Sequence, residues 1–362
     1  DDLVGPRHGP GRKPKLSDAE LVCLAVAQVL LGCDSERRWL RFADQRLGGL
    51  FPYLPTPSAY NRRLRRAAAL VALALQDLAA RAPSWWDELR LVDSTPVPCA
   101  ASRETVKRSA LAGHAGYGYC KSHHRYFWGF RLYVLTAPDG LPVAWCLATP
   151  KLGEREVVAA LLDHERARLR PGLLILADKG FAGRDFEQLV AGYGAALARP
   201  DRADEPHRFG SLGRWRQWIE STFDTLKDQL GLERHGGKTV PGVVVRVAQR
   251  LLALAAAIWW NWETGAPDKR SLVAYDHWDL IHLLADQLGE MESVTRVDVP
   301  GRPSLLLFEV RRRRRGRCWW SGSSATPSTG RTSRRWRSTG RGLGQAPLRR
   351  RPPAAPSIAA SR

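Results

Sequence analysis

Apolar residues recur at helical spacing over the first part of the chain. Three stretches show this pattern: 21–31, 35–47 and 58–80. Ser17 and Glu20, just before the first stretch, have the spacing of a capping box, in which side chains accept hydrogen bonds from free backbone amides at a helix start. The pattern predicts a small all-helical domain over residues 1–84, whose last helix carries the basic run 61–66.

After Pro83, short apolar runs of strand type alternate with amphipathic stretches. Strands are predicted at 89–97, 126–136, 141–148, 173–177 and 195–198, and helices at 154–169, 184–191 and 214–230. Three consecutive antiparallel strands followed by alternating helices and strands predict an α/β fold, in which helices flank a mixed sheet.

A further apolar helix is predicted over 240–262, ended by Gly265 and Pro267. Its continuous apolar run, 251–260, is about half of the ~20 residues that a membrane span needs. We interpret it as a buried helix and expect no membrane association. The second domain is therefore predicted to cover residues 85–277.

The net charge of +20 is concentrated near the C-terminus. Residues 311–362 contain fifteen Arg and no Asp, Glu or Lys, so residues 1–310 are only mildly basic, with 41 basic and 36 acidic side chains. We expect residues 278–362 to be an atypical, largely disordered Arg-rich tail. Arginine without lysine is typical of out-of-frame translation of GC-rich DNA, and our hypothesis is that the authentic protein ends near residues 275–277.

The six cysteines are scattered, with no Cys-x-x-Cys pair and no N-terminal signal segment. This usage favours a reduced, cytoplasmic protein without a disulfide framework. Because the chain begins with Asp1 instead of Met, we also expect that an N-terminal piece is missing.

Three acidic residues occupy positions where a carboxylate needs a partner. Asp93 lies in the first predicted strand, Asp178 directly follows the strand 173–177, and Glu220 lies in the helix 214–230. A charge at the end of a buried strand is costly unless something pairs with it. A turn or cap role is an equal alternative for any one of them, but the trio favours a shared site. Converging carboxylates supply the hard oxygen ligands that Mg²⁺ needs for phosphoryl transfer on DNA.

The segments around these acids resemble the DDE-type transposases of bacterial insertion sequences, over about residues 10–277. The strand LVDSTPVP at 91–98 is similar to the family's first-aspartate strand, and ADKGF at 177–181 to its second motif. The interval of 42 residues between Asp178 and Glu220 leaves no room for the long β insertion of some relatives. A compact version of the domain is implied.

The third motif is matched in part. Arg216, Glu220 and Lys227 fit its Arg-x3-Glu-x6-Lys pattern, but Gly213 stands where many relatives have Tyr. Helical spacing predicts that the three matching side chains project from one face, where both cations could grip phosphates. A solvated helix face is the alternative for Arg216 and Lys227.

The resemblance implies a ribonuclease-H-like domain in which Asp93, Asp178 and Glu220 are catalytic and hold two Mg²⁺ ions, for which Mn²⁺ can substitute. It implies cleavage at the ends of an insertion sequence and transfer of the 3′-hydroxyl into target DNA. The implied partners are double-stranded DNA, as terminal inverted repeats and as target, and a second copy of the chain in a homodimer assembled on DNA. The implied location is cytoplasmic and nucleoid-associated.

Basic residues elsewhere are further candidates for DNA binding. In the segment 117–128 they are interleaved with aromatic residues, a pattern that suits a DNA backbone and an unpaired base. The N-terminal arginines could bind the terminal repeats. A helical unit that dimerises, or that simply packs against the rest of the protein, explains the same sequence pattern equally well. The candidates are Lys121, Arg125, Lys107, Arg108, Lys179, Arg62, Arg63, Arg65 and Arg66.

Several aromatic and metal-binding residue types have a structural alternative to a functional role. We expect Phe127 and Phe130 to be core residues, and the same is expected of Trp215, Trp218, Trp259, Trp260 and Trp262. Cys120, His123 and His124 hint at zinc, but a closed zinc site needs four ligands, so no zinc site is predicted. Two alternative functions remain open: a nuclease or resolvase on the same fold, and a non-catalytic DNA-binding protein or decayed transposase remnant.

Overall fold

The computed structural model describes residues 14–51, 53–120, 124–208 and 212–272, and the backbone of two later strands, 291–298 and 306–312. Its strands form one mixed sheet in the order β6-β5-β1-β3-β4-β8-β7, with β2 paired to one end of β3. The strands are β1 Leu89–Ala100, β2 Gly116–Cys120, β3 Arg125–Thr136, β4 Pro142–Ala148, β5 Leu174–Leu176, β6 Ala196–Ala198, β7 Met291–Asp298 and β8 Leu306–Arg312.

The central strand β1 explains the mixture of strand directions. It pairs antiparallel with β3, which pairs antiparallel with β4, and it pairs parallel with β5, which pairs parallel with β6. The two parallel pairings follow helical crossovers, and the antiparallel ones belong to a meander of consecutive strands. The predicted α/β fold with a mixed sheet is confirmed.

Helices cover both faces of this sheet. They are α1 Asp18–Leu30, α2 Glu36–Leu47, α3 Pro57–Arg66, α4 Ala68–Arg81, α5 Arg103–Lys107, α6 Glu154–His164, α7 Arg184–Gly192, α8 Gly213–Asp224 and α9 Val240–Glu263. Because side chains alternate along a strand, Leu91 and Val97 of β1 pack with α4 and α9, whereas Val92 packs in a second cluster with α6 and α7. The sheet thus separates two apolar cores.

The long helix α9 lies at the centre of the larger core. By length and composition alone it could cross a membrane, but every residue of its most apolar window is buried inside the protein. Polar side chains on α9 also bind the N-terminal helices: Arg246 forms an ion pair with Glu36, and the Gln249 amide donates to the Ala25 carbonyl oxygen. Such burial is typical of a core helix in a globular protein. The predicted buried helix is confirmed.

The N-terminal helices share the larger apolar cluster with residues of β1, β3 and α9. The predicted capping box forms, since the Glu20 amide donates to Ser17 Oγ and the Ser17 amide to the Glu20 carboxylate. The predicted helix 58–80 is in fact two helices, α3 and α4, which meet at Ala67. The change of direction keeps the arginines of α3 near the surface while the apolar α4 enters the core. The domain boundary near residue 84 stays a prediction.

Three local features were not expected. The strand β2 forms a hairpin with β3 in the segment where the basic and aromatic residues alternate. The helix α8 continues as a π-helical turn, Thr225–Gln229, where α-helical geometry was predicted through residue 230. Within residues 278–362, the backbone forms the antiparallel pair β7 and β8. Of the predicted disordered tail, residues 278–290, 299–305 and 313–362 lie outside the described residues.

Candidate active site

The sheet register brings Asp93 and Asp178 to the same level. In the parallel pair of β1 and β5, Leu91 lies opposite Leu176, and each aspartate follows two residues later along its own chain. Adjacent strands lie about 4.8 Å apart, so the ends of β5 and the middle of β1 place these two carboxyl groups side by side. A single hydrogen-bonding register therefore unites two residues that are 85 positions apart in the sequence.

Glu220, on helix α8, is linked to Asp178 by an arginine that pairs with both carboxylates. Arg216 lies one helical turn before Glu220, and its guanidinium lies 3.5 Å from the carboxylate of Glu220 and 3.5 Å from that of Asp178. Ile219 and Phe223 are buried and hold α8 against the protein, whereas the Glu220 side chain is 55% exposed. Arg216 thus links Glu220 to Asp178, and its charge also acts on Asp93.

Backbone amides orient both aspartates. The Ser94 amide donates to Asp93 Oδ1 at 2.7 Å, and the Lys179 amide donates to Asp178 Oδ1 at 2.6 Å. Each carboxylate is therefore held by one oxygen, and its second oxygen remains available for another ligand.

The environment of Asp93 disfavours its negative charge. Burial, and then the charges of Glu154 and Asp178, raise its pKa to about 6, although the Ser94 amide and Arg216 act in the opposite direction. Like charges close together raise a carboxyl pKa because the ionised forms repel one another. Positive charge brought to this point would relieve that repulsion.

The donor set fits divalent metal ions, although no metal coordination sphere is formed here. Among residues 14–272 as described, no three Asp, Glu, His or Cys side chains converge closely enough to hold an ion. Asp93, Asp178 and Glu220 nevertheless offer only carboxylate oxygen, which is what Mg²⁺ and Mn²⁺ prefer. Arg216 supplies the positive charge that compensates two of these carboxylates in this structure.

Sequence reasoning missed a neighbouring polar group. Glu154, at the start of α6, accepts a hydrogen bond from Arg131 Nη1 at 3.0 Å, and the same nitrogen donates to Ser94 Oγ at 3.0 Å. Arg131 Nη2 donates to the carbonyl oxygen of Tyr119 in β2. Because Ser94 directly follows Asp93, this group connects the acidic site to the β2–β3 hairpin. Nothing in the linear spacing of Glu154 and Arg131 indicated it.

The predicted DNA-binding lysines of the acidic motifs lie beside the site. Lys179 is exposed in the turn after Asp178, and Lys227 is half-buried within the π-helical turn. The π turn changes the angular spacing after Asp224, so α-helical periodicity no longer describes how Lys227 is placed relative to Glu220. Its role as a phosphate ligand stays a prediction.

The remaining basic candidates are spread over three surfaces. Arg125 forms an ion pair with Glu233, and Lys107 pairs with Glu104 on the exposed helix α5, beside the exposed Arg108. In α3, Arg63 binds Asp18 at 2.8 Å, whereas its neighbours Arg62, Arg65 and Arg66 are exposed. Lys121 and His123 lie outside the described residues. The described basic candidates thus lie on α3, on α5 and on the β2–β3 hairpin.

The aromatic predictions are mostly confirmed. Phe127, Phe130 and Trp259 are buried, and Trp218, Trp260 and Trp262 pack partly buried against the larger core. The prediction for Trp215 was wrong, because its ring is 38% exposed and stacks edge-on with Trp218 at the start of α8. Cys33, Cys99 and Cys146 are free thiols.

One comparison with known proteins identifies a family over this part of the chain. Residues 86–256 match the family described as the transposase DDE domain. The matched range begins just before β1 and ends within α9, so it contains all three carboxylates and Arg216. Among curated proteins, none matches the chain.

Proposed function

Because the chain carries a DDE-class transposase domain over residues 86–256, we propose that it cleaves DNA at the ends of an insertion sequence and joins the freed 3′-hydroxyl to target DNA. Asp93, Asp178 and Glu220 are the proposed catalytic residues and metal ligands. The observation that carries the proposal is that the Arg216 guanidinium pairs with Asp178 and Glu220 while its charge also acts on Asp93.

The proposed reaction requires cations at the acidic site. A bound pair of Mg²⁺ or Mn²⁺ ions would activate the attacking water or 3′-hydroxyl and stabilise the departing oxygen. The protein's part is to present ionised carboxylates in fixed orientations, which the amides of Ser94 and Lys179 favour. Since the raised pKa of Asp93 reflects burial and like-charge repulsion, bound cations would lower that pKa and favour the ionised carboxylate.

The proposed role of Arg216 depends on whether divalent cations occupy the acidic site. In this structure its guanidinium neutralises Asp178 and Glu220. When cations take over that task, the side chain is free to bind a DNA phosphate, for which a planar guanidinium with two parallel donors is well suited. Lys179 and Lys227 are proposed to add further phosphate contacts.

The proposed partners are terminal inverted repeats, target DNA and a second copy of the chain when it is assembled on DNA. The exposed arginines of α3 are candidates for repeat binding. We propose a cytoplasmic, nucleoid-associated location, since the substrate is DNA. A nuclease on the same fold remains the second candidate, because cleavage and joining use the same three carboxylates.

A joining assay distinguishes these candidates. The protein is incubated with Mg²⁺, a labelled duplex that contains the DNA flanking its coding region, and a supercoiled target plasmid. We expect labelled plasmid for a transposase and only shortened duplex for a nuclease. Asp93→Asn, Asp178→Asn and Glu220→Gln should each abolish both products, whereas Glu263→Gln, an exposed carboxylate at the end of α9, should change neither.

The binding of the labelled duplex provides the control for folding. The three variants should retain it, because they remove metal ligands and leave the basic surfaces intact. Full activity in any one of them would remove that residue from the proposed site, and full activity in all three would refute the proposed function.

A further inference from the structure

A large open cleft lies at the end of β1 that is remote from β5. It has a volume of about 1200 Å³, and its walls come from the end of β1, the β2–β3 hairpin and the loop before α9. We call it the basic cleft and define it by Arg103, Arg125, Arg234 and Lys238 with the aromatic side chains Tyr117 and Tyr126.

The basic cleft lies further along β1 than Asp93. Cys99, which lines the cleft, follows Asp93 by six residues in β1. Six residues of strand span about 20 Å, which is roughly six nucleotides at duplex spacing. Thr95 and Val97 between them are buried, so a DNA strand bound at the acidic site would reach the basic cleft over the outer surface of the protein.

The cleft's aromatic residues share one face of the β2–β3 hairpin. Tyr126 lies two residues before Trp128 on β3, and Tyr117 joins it through its pairing with Trp128. Tyr126 is 80% exposed and Tyr117 is 57% exposed, an unusual state for two tyrosines that line one cavity.

The charges of the basic cleft favour an anionic ligand. Four cationic side chains line it against the single carboxylate of Glu233, which forms an ion pair with Arg125. Arg234 is paired at 3.4 Å with Asp34, and Arg103 and Lys238 are exposed. The Arg125–Glu233 pair joins the hairpin to the loop before α9, so a phosphate that binds Arg125 would compete with Glu233.

A buried histidine fixes the loop that carries Arg234 and Lys238. The Gly237 amide donates to His235 Nδ1 at 3.0 Å, so the ring proton is on Nε2, which donates to the Pro98 carbonyl oxygen at 3.0 Å. Burial, and then the charge of Arg250, lower the pKa of His235 to about 4, so the ring is neutral at physiological pH. The loop is thereby held against β1 with its cations at the cleft.

We propose that the basic cleft binds an unpaired stretch of the DNA strand that leads away from the acidic site, with bases stacked on Tyr117 and Tyr126 and phosphates on the four cations. Exposed aromatic rings favour a single strand, because the faces of bases in a duplex are already stacked on one another. This inference rests on the proposed function for its substrate, but not on catalysis.

The test is the binding of dye-labelled oligothymidine of twenty nucleotides, measured by fluorescence anisotropy in EDTA, beside a duplex of equal length. Tyr126→Ala and Tyr117→Ala should each weaken oligothymidine binding by about five- to a hundredfold, the range for losing one base-stacking aromatic. Duplex binding should change much less. Tyr126→Phe should bind like the wild type, because stacking does not require the hydroxyl group.

The matched control is Trp86→Ala, which removes an equally exposed aromatic ring, 63% accessible, before the opposite end of β1. Oligothymidine binding that is unchanged in both tyrosine variants, or lost equally in the Trp86 variant, would overturn the proposal. An equal loss of duplex and oligothymidine binding would also overturn it, in favour of a duplex-binding surface. Because oligothymidine binding is measured in EDTA, its result does not depend on whether the protein cleaves DNA in the joining assay.

Discussion

Two places about 20 Å apart along β1 have opposite electrostatic character. Around Asp93, three further carboxylates, those of Asp178, Glu220 and Glu154, are compensated by Arg216 and Arg131. In the basic cleft, four cations outnumber the single carboxylate of Glu233. An acidic centre repels DNA unless cations neutralise it, whereas a basic surface attracts DNA without help. We propose that one strand serves both a metal-dependent site and a metal-independent one.

The two regions also differ in how their sequences encode them. The acidic site depends on residues in regular elements, so strand register and helical spacing specify it. The basic cleft depends on a hairpin and a loop, whose positions follow from tertiary contacts such as the hydrogen bond from His235 to Pro98.

The largest expected difference between the regions is in catalysis. Removing the positive charge of Arg216, as in Arg216→Ala, should lower the cleavage rate by roughly a hundredfold or more, the effect of losing one charged contact in the transition state. The same variant should bind Mn²⁺ more tightly, because Asp178 and Glu220 lose their internal counter-ion. Rates from a gel assay and Mn²⁺ titrations by calorimetry test both parts.

The control for that prediction is Arg234→Ala in the basic cleft, which should leave Mn²⁺ affinity unchanged. Weaker Mn²⁺ binding in Arg216→Ala would contradict the idea that the guanidinium and the ions compete for the same carboxylates.

A smaller effect is expected on stability. The folded-state pKa of Asp93 is about 6, above its unfolded value, so its ionisation opposes folding as the pH rises through 6. Asp93→Asn should therefore stabilise the metal-free protein at pH 8 by up to about 3 kcal/mol, since each pKa unit is worth about 1.4 kcal/mol. Below pH 4, where the wild-type carboxyl is protonated in both states, this gain should vanish.

Urea denaturation at the two pH values measures this gain, with Glu233→Gln as the comparison from the basic cleft. A gain for Asp93→Asn that persists unchanged at pH 4 would exclude charge as its cause and would favour a packing effect.

In the basic cleft, releasing Arg125 should strengthen DNA binding modestly. Glu233→Gln removes the carboxylate that pairs with Arg125, and partly exposed ion pairs are worth about 0.2–1 kcal/mol, so oligothymidine affinity should rise about two- to fivefold. Anisotropy in EDTA detects a change of this size. A lower affinity would show that Glu233 orients Arg125 for DNA instead of competing with it.

The smallest predicted effect is on salt dependence. Lys238→Gln should reduce the slope of log affinity against log salt concentration by about 0.7 for a single-stranded oligonucleotide, the value for one lost phosphate contact. Lys151→Gln, in the turn after β4, is the matched control for an exposed surface lysine that does not line the cleft. Equal slopes for wild type and Lys238→Gln would remove this lysine from the proposed DNA path.

Much of the fold could be predicted from the sequence because its apolar runs are short, distinct and well separated by turn residues. The strands around Asp93 and before Asp178 are apolar and rich in leucine and valine, and their register then follows from the sheet. The predicted family is confirmed by the match over residues 86–256. The neighbouring positions of Asp93 and Asp178 follow from these elements, whereas the shared metal site of the three acids stays a prediction.

Other features depend on tertiary contacts that leave no linear pattern. The break at Ala67 occurs in a run of helix-forming residues, without Gly or Pro, and only the packing of α4 against α9 explains it. Glu154 and Arg131 meet across two elements beside Ser94. The strand β2 was overlooked because its alternating glycines and tyrosines are not the apolar pattern of a core strand.

The central claim is that Asp93, Asp178 and Glu220 hold divalent cations in place of Arg216. Anomalous X-ray scattering from crystals of the protein soaked in Mn²⁺ tests it most directly. We predict manganese peaks within about 2.0–2.3 Å of oxygens of these three carboxylates, with the Arg216 guanidinium displaced from Asp178 and Glu220. Crystals that bind no manganese at this position at saturating concentration, with Arg216 still bridging the two carboxylates, would contradict the claim.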